Sequence, residues 1–177
     1  MDINHLPSGT ICLIDTNIFL YHLAAQSSDC RQILNRIGRG EISGYVTTPI
    51  IGELLHKRMV IEAVNVGLVS GSKPFEKLKR QPQLIARLSD YITETAQLLQ
   101  LPLTMIEVTE EDINWSHTLR RAYGMLVIDS INLACAVRRG ITDIATHDTD
   151  FLHVPNLKIW RPTVCNLRVE EFSHQIL

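Results

Sequence analysis

Long apolar runs are missing from this 177-residue sequence; none approaches the roughly 20 residues that a membrane span requires. The opening "MDINHLPSGT" is polar, with no basic stretch leading into an apolar one, so no secretory signal is expected. Cysteine is scarce and scattered. Cys12, Cys30, Cys135 and Cys165 form no C-x-x-C pair, which argues against a zinc site or a disulfide framework. Cys12 and Cys135 lie inside apolar patterns, where a thiol behaves as a small hydrophobe. Glycine and proline are not in excess, and there is no internal repeat or low-complexity segment, which excludes collagenous, fibrous and disordered classes. Strong charge of either sign is lacking too, at a net −2. The expectation is a soluble, reduced, cytoplasmic protein with no membrane partner.

What is present suits one domain with a sizeable core, spanning 1–177, with its body over about 10–162 and a tail, 163–177, too weakly periodic to place. Short apolar or β-branched runs read as strands: "ICLID" (11–15), "GYVTT" (44–48), "LTMIEVT" (103–109), "TDIAT" (142–146) and "LKIWRP" (157–162). Helices read between them. One opens near Asn17, one covers 28–38 and stops at "GRG", and one begins at Pro49 and stops near Gly67. Segment 70–83 reads as a connector with room for one helical turn. A long helix is expected over 83–100, with Leu84, Leu88, Tyr91, Ile92, Thr95 and Leu99 on one stripe. Thr109 and Asp112 form a capping-box pattern for the next helix, and another runs over 128–140. This alternation predicts a three-layer α/β/α fold around a central, mostly parallel sheet.

The carboxylates then fall into a pattern. Asp15 ends the first strand, and Asp148 and Asp150 follow the fourth in the same sense. Asp129 opens the helix before that strand, and Glu53 sits one turn into the helix after the second. Ligands of open α/β sheets bind beyond the carboxyl ends of the strands, so all five acids can face one edge. Several carboxylates in one cleft repel each other and are costly to bury unpaired. A hard divalent cation removes that cost, and an oxygen-only donor set favours Mg²⁺ or Mn²⁺ over zinc. One or two such ions can activate water and assist phosphodiester hydrolysis. Without these five acids the rest of the chain carries three net positive charges, so overall charge does not argue against a nucleic-acid partner.

Four stretches in order, "LIDTNIFL", "TTPIIGELLH", "VIDSINLACAVRRG" and "IATHDTDF", resemble the motifs of the PIN-domain ribonucleases. The likeness is greatest to the VapC-like toxins of toxin–antitoxin pairs. The matching positions are Asp15 and Asn17, Glu53, Asp129, then Thr146, Asp148, Asp150 and Phe151. Over residues 10–160 the resemblance implies a PIN-like α/β/α fold, Mg²⁺ or Mn²⁺ dependence and cleavage of single-stranded or structured RNA, leaving a 5′-phosphate and a 3′-hydroxyl. It also implies a cognate antitoxin over the acidic cleft and a homodimer. The chain is longer than the compact toxins, with the surplus around 62–100 and in the tail.

Each residue also has a plainer role. Asp15 can close an Asx turn and Asn17 can cap a helix. Glu53 can be a solvated helix acid, yet it lies among apolar Ile50, Ile51, Leu54 and Leu55. Asp129 suits a helix N-terminus on electrostatic grounds alone, but its apolar flanks suggest burial. Asn132, one turn on, and Thr146 are candidates to support the ligands; Thr146 can equally just end its strand. Phe151 reads as a core anchor. His147 is not needed as a base where a metal activates water. Lys73, Lys77, Lys79 and Arg80 offer contacts to RNA phosphates, although such a run is more often a solvated face; Phe75 beside them offers a stacking surface. Two other function classes remain in play. A PIN-like RNA-binding or scaffolding module without turnover would have lost an acid, and none is lost. A Mg²⁺-dependent phosphatase would favour Asp-x-Asp after the first strand, where this chain has Asp-Thr-Asn.

Overall fold

Every expected strand forms in the computed structural model, which describes residues 1–164. They are β1 (Ile11–Ile14), β2 (Ser43–Thr47), β3 (Thr104–Ile106), β4 (Asp143–Ala145) and β5 (Lys158–Trp160), in one sheet of order β3-β2-β1-β4-β5. All four pairings are parallel, with Cys12 of β1 opposite Gly44 of β2 and Asp143 of β4. Helices flank the sheet, giving the three-layer α/β/α architecture. A central strand covered on both faces must be apolar throughout. Cys12, Leu13 and Ile14 are accordingly fully buried. On β2, Gly44 sits in close packing: a Cβ there would stand 2.8 Å from Leu103 and 2.9 Å from Ile37, whose side-chain ends would have to shift.

The helices are α1 (Thr16–Leu23), α2 (Ser28–Gly38), α3 (Thr48–Asn65), α4 (Pro74–Arg80), α5 (Pro82–Ile85), α6 (Asp90–Leu98), α7 (Glu110–Tyr123) and α8 (Val127–Arg138). Thr109 and Asp112 make the expected capping box at the start of α7. Asp112 also receives the Arg138 guanidinium of α8 at 2.7 and 2.8 Å, which locks the two helices together.

Two expectations fail between α3 and β3. The connector over 70–83 contains α4, twice the single turn foreseen. The long helix over 83–100 is broken into α5 and α6, and the cause lies on another helix. Buried Glu62 of α3 accepts hydrogen bonds from the backbone N–H groups of Ser89 (2.9 Å), Asp90 (3.1 Å) and Tyr91 (2.8 Å). A helix N-terminus needs partners for its first N–H groups, and here a distant carboxylate supplies them. The supposed stripe divides accordingly. Leu88 joins a second apolar cluster with Val60, Ala63, Val69 and Leu78, while Ile92 and Leu99 are exposed.

The main core also extends beyond its expected start, because Ile3 and Leu6 are buried in it and Ile3 bonds the carbonyl of Arg161 next to β5. At the other end, Ser27 and Asp29 hold the backbone of Thr163. Cys165 and the rest of the unplaced tail lie outside the described residues. Among the described residues, no helix is long and apolar enough to cross a membrane.

Candidate metal and active site

From β1 the chain winds outward through β2 to β3, then returns to the other side of β1 as β4. The crevice beyond the carboxyl ends of β1 and β4 is therefore the switch point of the sheet, where open α/β folds place their ligands. Asp15 and Thr146 stand there side by side. Asp15 follows β1 and caps α1, its Oδ1 accepting the Thr16 N–H at 2.7 Å. Its Oδ2 accepts the Thr146 hydroxyl at 2.6 Å and the Asn17 amide at 2.6 Å. The same Thr146 oxygen accepts the Asp148 N–H at 2.9 Å, and the Asn17 carbonyl accepts the His147 N–H at 3.0 Å. Asp148 in turn accepts the Asp150 N–H at 2.9 Å. One chain of hydrogen bonds thus ties the β1–α1 turn to the loop after β4 and sets where its aspartates stand.

Glu53 reaches the crevice from the second turn of α3. Thr16 donates to its Oε2 at 2.7 Å, and Lys57, four residues on, meets its Oε1 at 2.7 Å. Asp129 arrives on the first turn of α8. Asn132 does not join the acids directly. It is buried, and its side-chain oxygen accepts the hydroxyl of Thr47, the cap of α3, at 2.6 Å. It therefore couples the helix that carries Asp129 to the helix that carries Glu53. The burial inferred from the flanks of Asp129 is half right. Leu126, Val127 and Ile128 before it are exposed, whereas Leu133 to Ala136 after it are in the core.

Asp129, Asp148 and Asp150 each offer a carboxylate oxygen within 4.8 Å of the others, close enough to share one cation. Asp15 and Glu53 lie outside that trio, with both oxygens of each engaged by partners of the chain itself. Asp129 nonetheless feels the charge of the other four. Burial, then the charges of Asp15, Asp148, Glu53 and Asp150, push the Asp129 carboxyl up to about 7. Burial is also the main reason that Asp15 rises to about 6; the Thr146 hydrogen bond opposes it, while Glu53 and Asp148 add to it. Asp150 is raised by desolvation and by Asp148. Five acids with Lys57 as their bonded cation leave a surplus of negative charge. An oxygen-only donor set with that surplus fits a hard divalent ion.

Thr16 and Lys57 are the site residues that the sequence reading missed. A lysine at i+4 from Glu53 is a recognisable helix pair. Thr16 gave no such signal, because its hydroxyl matters only once α3 is packed on α1. Lys73, which precedes α4, and Lys77, Lys79 and Arg80 on it are exposed. Phe75 is no open stacking surface, since it is half-buried against His56 with ring centroids 4.8 Å apart. Phe151 is buried in the core as expected.

Similar folds occur in the VapBC2 structure of Rickettsia felis bound to a promoter DNA fragment, at 14% identity and a TM-score of 0.55, covering 87% of this chain and 100% of that one. VapC20 of Mycobacterium tuberculosis, a toxin that cleaves the sarcin–ricin loop, matches at 12% identity and 0.50, covering 80% and 92%. A toxin–antitoxin complex from Klebsiella pneumoniae matches at 17% and 0.50, covering 83% and 95%. No curated protein matches the sequence. The sequence pattern of the PIN domain matches residues 12–157, which take in four of the five strands and all of α1 to α8, so this chain belongs to the PIN domain family.

Proposed function

We propose that this chain is a Mg²⁺- or Mn²⁺-dependent endoribonuclease that hydrolyses single-stranded or structured RNA, and that it is the toxin of a toxin–antitoxin pair. The observation that carries the nuclease reading is the meeting of Asp129, Asp148 and Asp150 at the switch point of the sheet, with Asp15 and Glu53 beside them. Asp129, Asp148 and Asp150 hold the ion, or the first of two. When bound, such an ion lowers the proton affinity of water and neutralises charge building on the phosphate. Asp15 keeps Thr146 and Asn17 in place and adds negative charge that favours the cation. Glu53, fixed by Thr16 and Lys57, borders the same space, and Lys57 brings a positive charge to it. No side chain is positioned as a covalent nucleophile in this reading, so water attacks the phosphodiester directly.

The toxin assignment rests on the fold shared with VapC-type toxins, and it carries with it a cognate antitoxin that covers the cleft, and a homodimer. The test is cleavage of a labelled structured-RNA pool with Mg²⁺, Mn²⁺ or EDTA, beside Asp129→Asn. Metal-dependent cleavage by the wild type that the variant lacks is expected. Metal binding without cleavage of any RNA would favour the silent RNA-binding module instead. Release of phosphate from small phosphomonoesters would favour the phosphatase.

A further inference from the structure

We propose that the outward face of α4 is a second RNA-binding surface, tracking the backbone of the strand whose scissile bond lies at the acidic cleft; this rests on the nuclease reading. Between residues 73 and 87 the chain places five cations, Lys73, Lys77, Lys79, Arg80 and Arg87, against the single acid Glu76. The rest of the chain therefore carries a net charge of −6, against +4 in this stretch. All five cations are exposed.

The insert is a folded body fixed to α3. Pro74 and Leu78 bury the inner side of α4, and Leu78 lies in the second apolar cluster with Val60, Ala63 and Val69. Pro74 and Leu78 take the inner side, and Lys73 at the start of α4 with Lys77, Lys79 and Arg80 along it all stay exposed to solvent. Lys77 is further steadied by its bond to the Ser70 carbonyl.

Its place relative to the cleft follows from α3. Glu53 and His56 are three residues apart on that helix, so they share a side and stand about 5 Å apart along its axis. Phe75 of α4 packs edge-on against His56. The start of α4 is therefore tied, through Phe75, to the turn of α3 that follows Glu53. A polyanion entering the cleft faces five carboxylates there, and the cations next to it supply the attraction that the cleft itself lacks. Phosphate contacts of this kind position a strand without reading its sequence. An acidic protein segment would answer the same charge, but the adjacency to a cleft built for a phosphodiester favours RNA.

The experiment compares wild type with the Lys73→Gln, Lys79→Gln, Arg80→Gln triple variant. Binding of labelled oligouridines of about 5 and about 20 nucleotides is measured in EDTA, where no cleavage occurs, over a range of salt. For the longer strand the variant is expected to bind at least about tenfold more weakly at low salt. The slope of log affinity against log salt should shrink by about 2, at roughly 0.7 per lost phosphate contact. The loss should be smaller for the short strand, and a Lys73→Arg, Lys79→Arg variant should restore most of it. Equal affinity and slope in wild type and variant overturn the proposal. So does a larger loss on polyglutamate than on RNA, which would make the face an acidic-protein site. Absence of metal-dependent cleavage by the wild type would sink the nuclease reading separately, since the binding comparison needs no turnover.

Discussion

Lys57 shows how one side chain sets the character of this cleft. Its ammonium stands 2.7 Å from Glu53, which Thr16 holds from the other side. Replacing it with methionine keeps the stem packed and removes one positive charge from the rim of a cation site. Lys57→Met is expected to tighten Mn²⁺ binding several-fold in titration calorimetry, because repulsion between ammonium and metal is lost. Unchanged or weaker binding would mean that Glu53 and Lys57 lie outside the field of the ion. Gly44 makes a different point, about space. An alanine there must displace both Ile37 and Leu103 in a packed layer. Gly44→Ala should cost about 1–3 kcal/mol in chemical denaturation, the usual range for overpacking. A neutral result would mean that α2 moves away at no cost.

Among the elements, two carboxylates do work that no single helix shows. Glu62 of α3 caps α6 through three backbone N–H groups, and those bonds lower its proton affinity despite desolvation. Glu62→Ala leaves those donors unsatisfied and should cost about 1–3 kcal/mol. The loss should be local: amides of residues 89–98 should exchange faster, while those of β1 and β4 stay protected. Uniform change across the molecule would contradict a local cap. Asp112 joins α7 to α8, and Arg138 with the capping box holds its carboxyl down at about 2 despite burial. An acid lowered on folding contributes stability above its unfolded pKa of about 4, and loses it as pH falls through the folded value. Asp112→Asn is therefore expected to cost about 2 kcal/mol at pH 7 and much less near pH 2. A pH-independent difference between variant and wild type would refute the assignment.

At the scale of the whole molecule, the acidic cluster works in the opposite direction. Asp15 and Asp129 are raised to about 6 and about 7. A group raised on folding stabilises the fold while it is protonated. That contribution is complete below about pH 4 and disappears as pH rises through the folded values. Metal-free protein should therefore melt lower at pH 8 than at pH 5, on the order of 5 °C, and Asp129→Asn should flatten the difference. Mn²⁺ at pH 8 should recover the loss in the wild type, because it binds the ionised folded state, and far less in the variant. A melting temperature independent of both pH and metal would mean that the acids do not share one field.

Much of this was legible in the sequence because it depends on neighbours along the chain. An apolar run as short as Ile11–Ile14 forms a strand whose Cys12, Leu13 and Ile14 are buried, Thr109 and Asp112 cap as their spacing dictates, and the family motifs keep the order that the PIN domain match covers. Asp15, Asp148 and Asp150 could be placed at one edge because parallel strands point their ends the same way. What the sequence could not decide is settled by groups far apart in the chain. The break between α5 and α6 depends on Glu62, 27 to 29 residues earlier. The bond from Thr16 to Glu53 spans 37 residues, and that from Thr47 to Asn132 spans 85. The division of the acids has the same origin: Asp15 and Glu53 find partners within the chain, whereas Asp129, Asp148 and Asp150 converge on one another. Local periodicity is a property of successive residues, but the partner of a buried polar group is whatever packing brings within about 3 Å of it, and only the tertiary structure decides that.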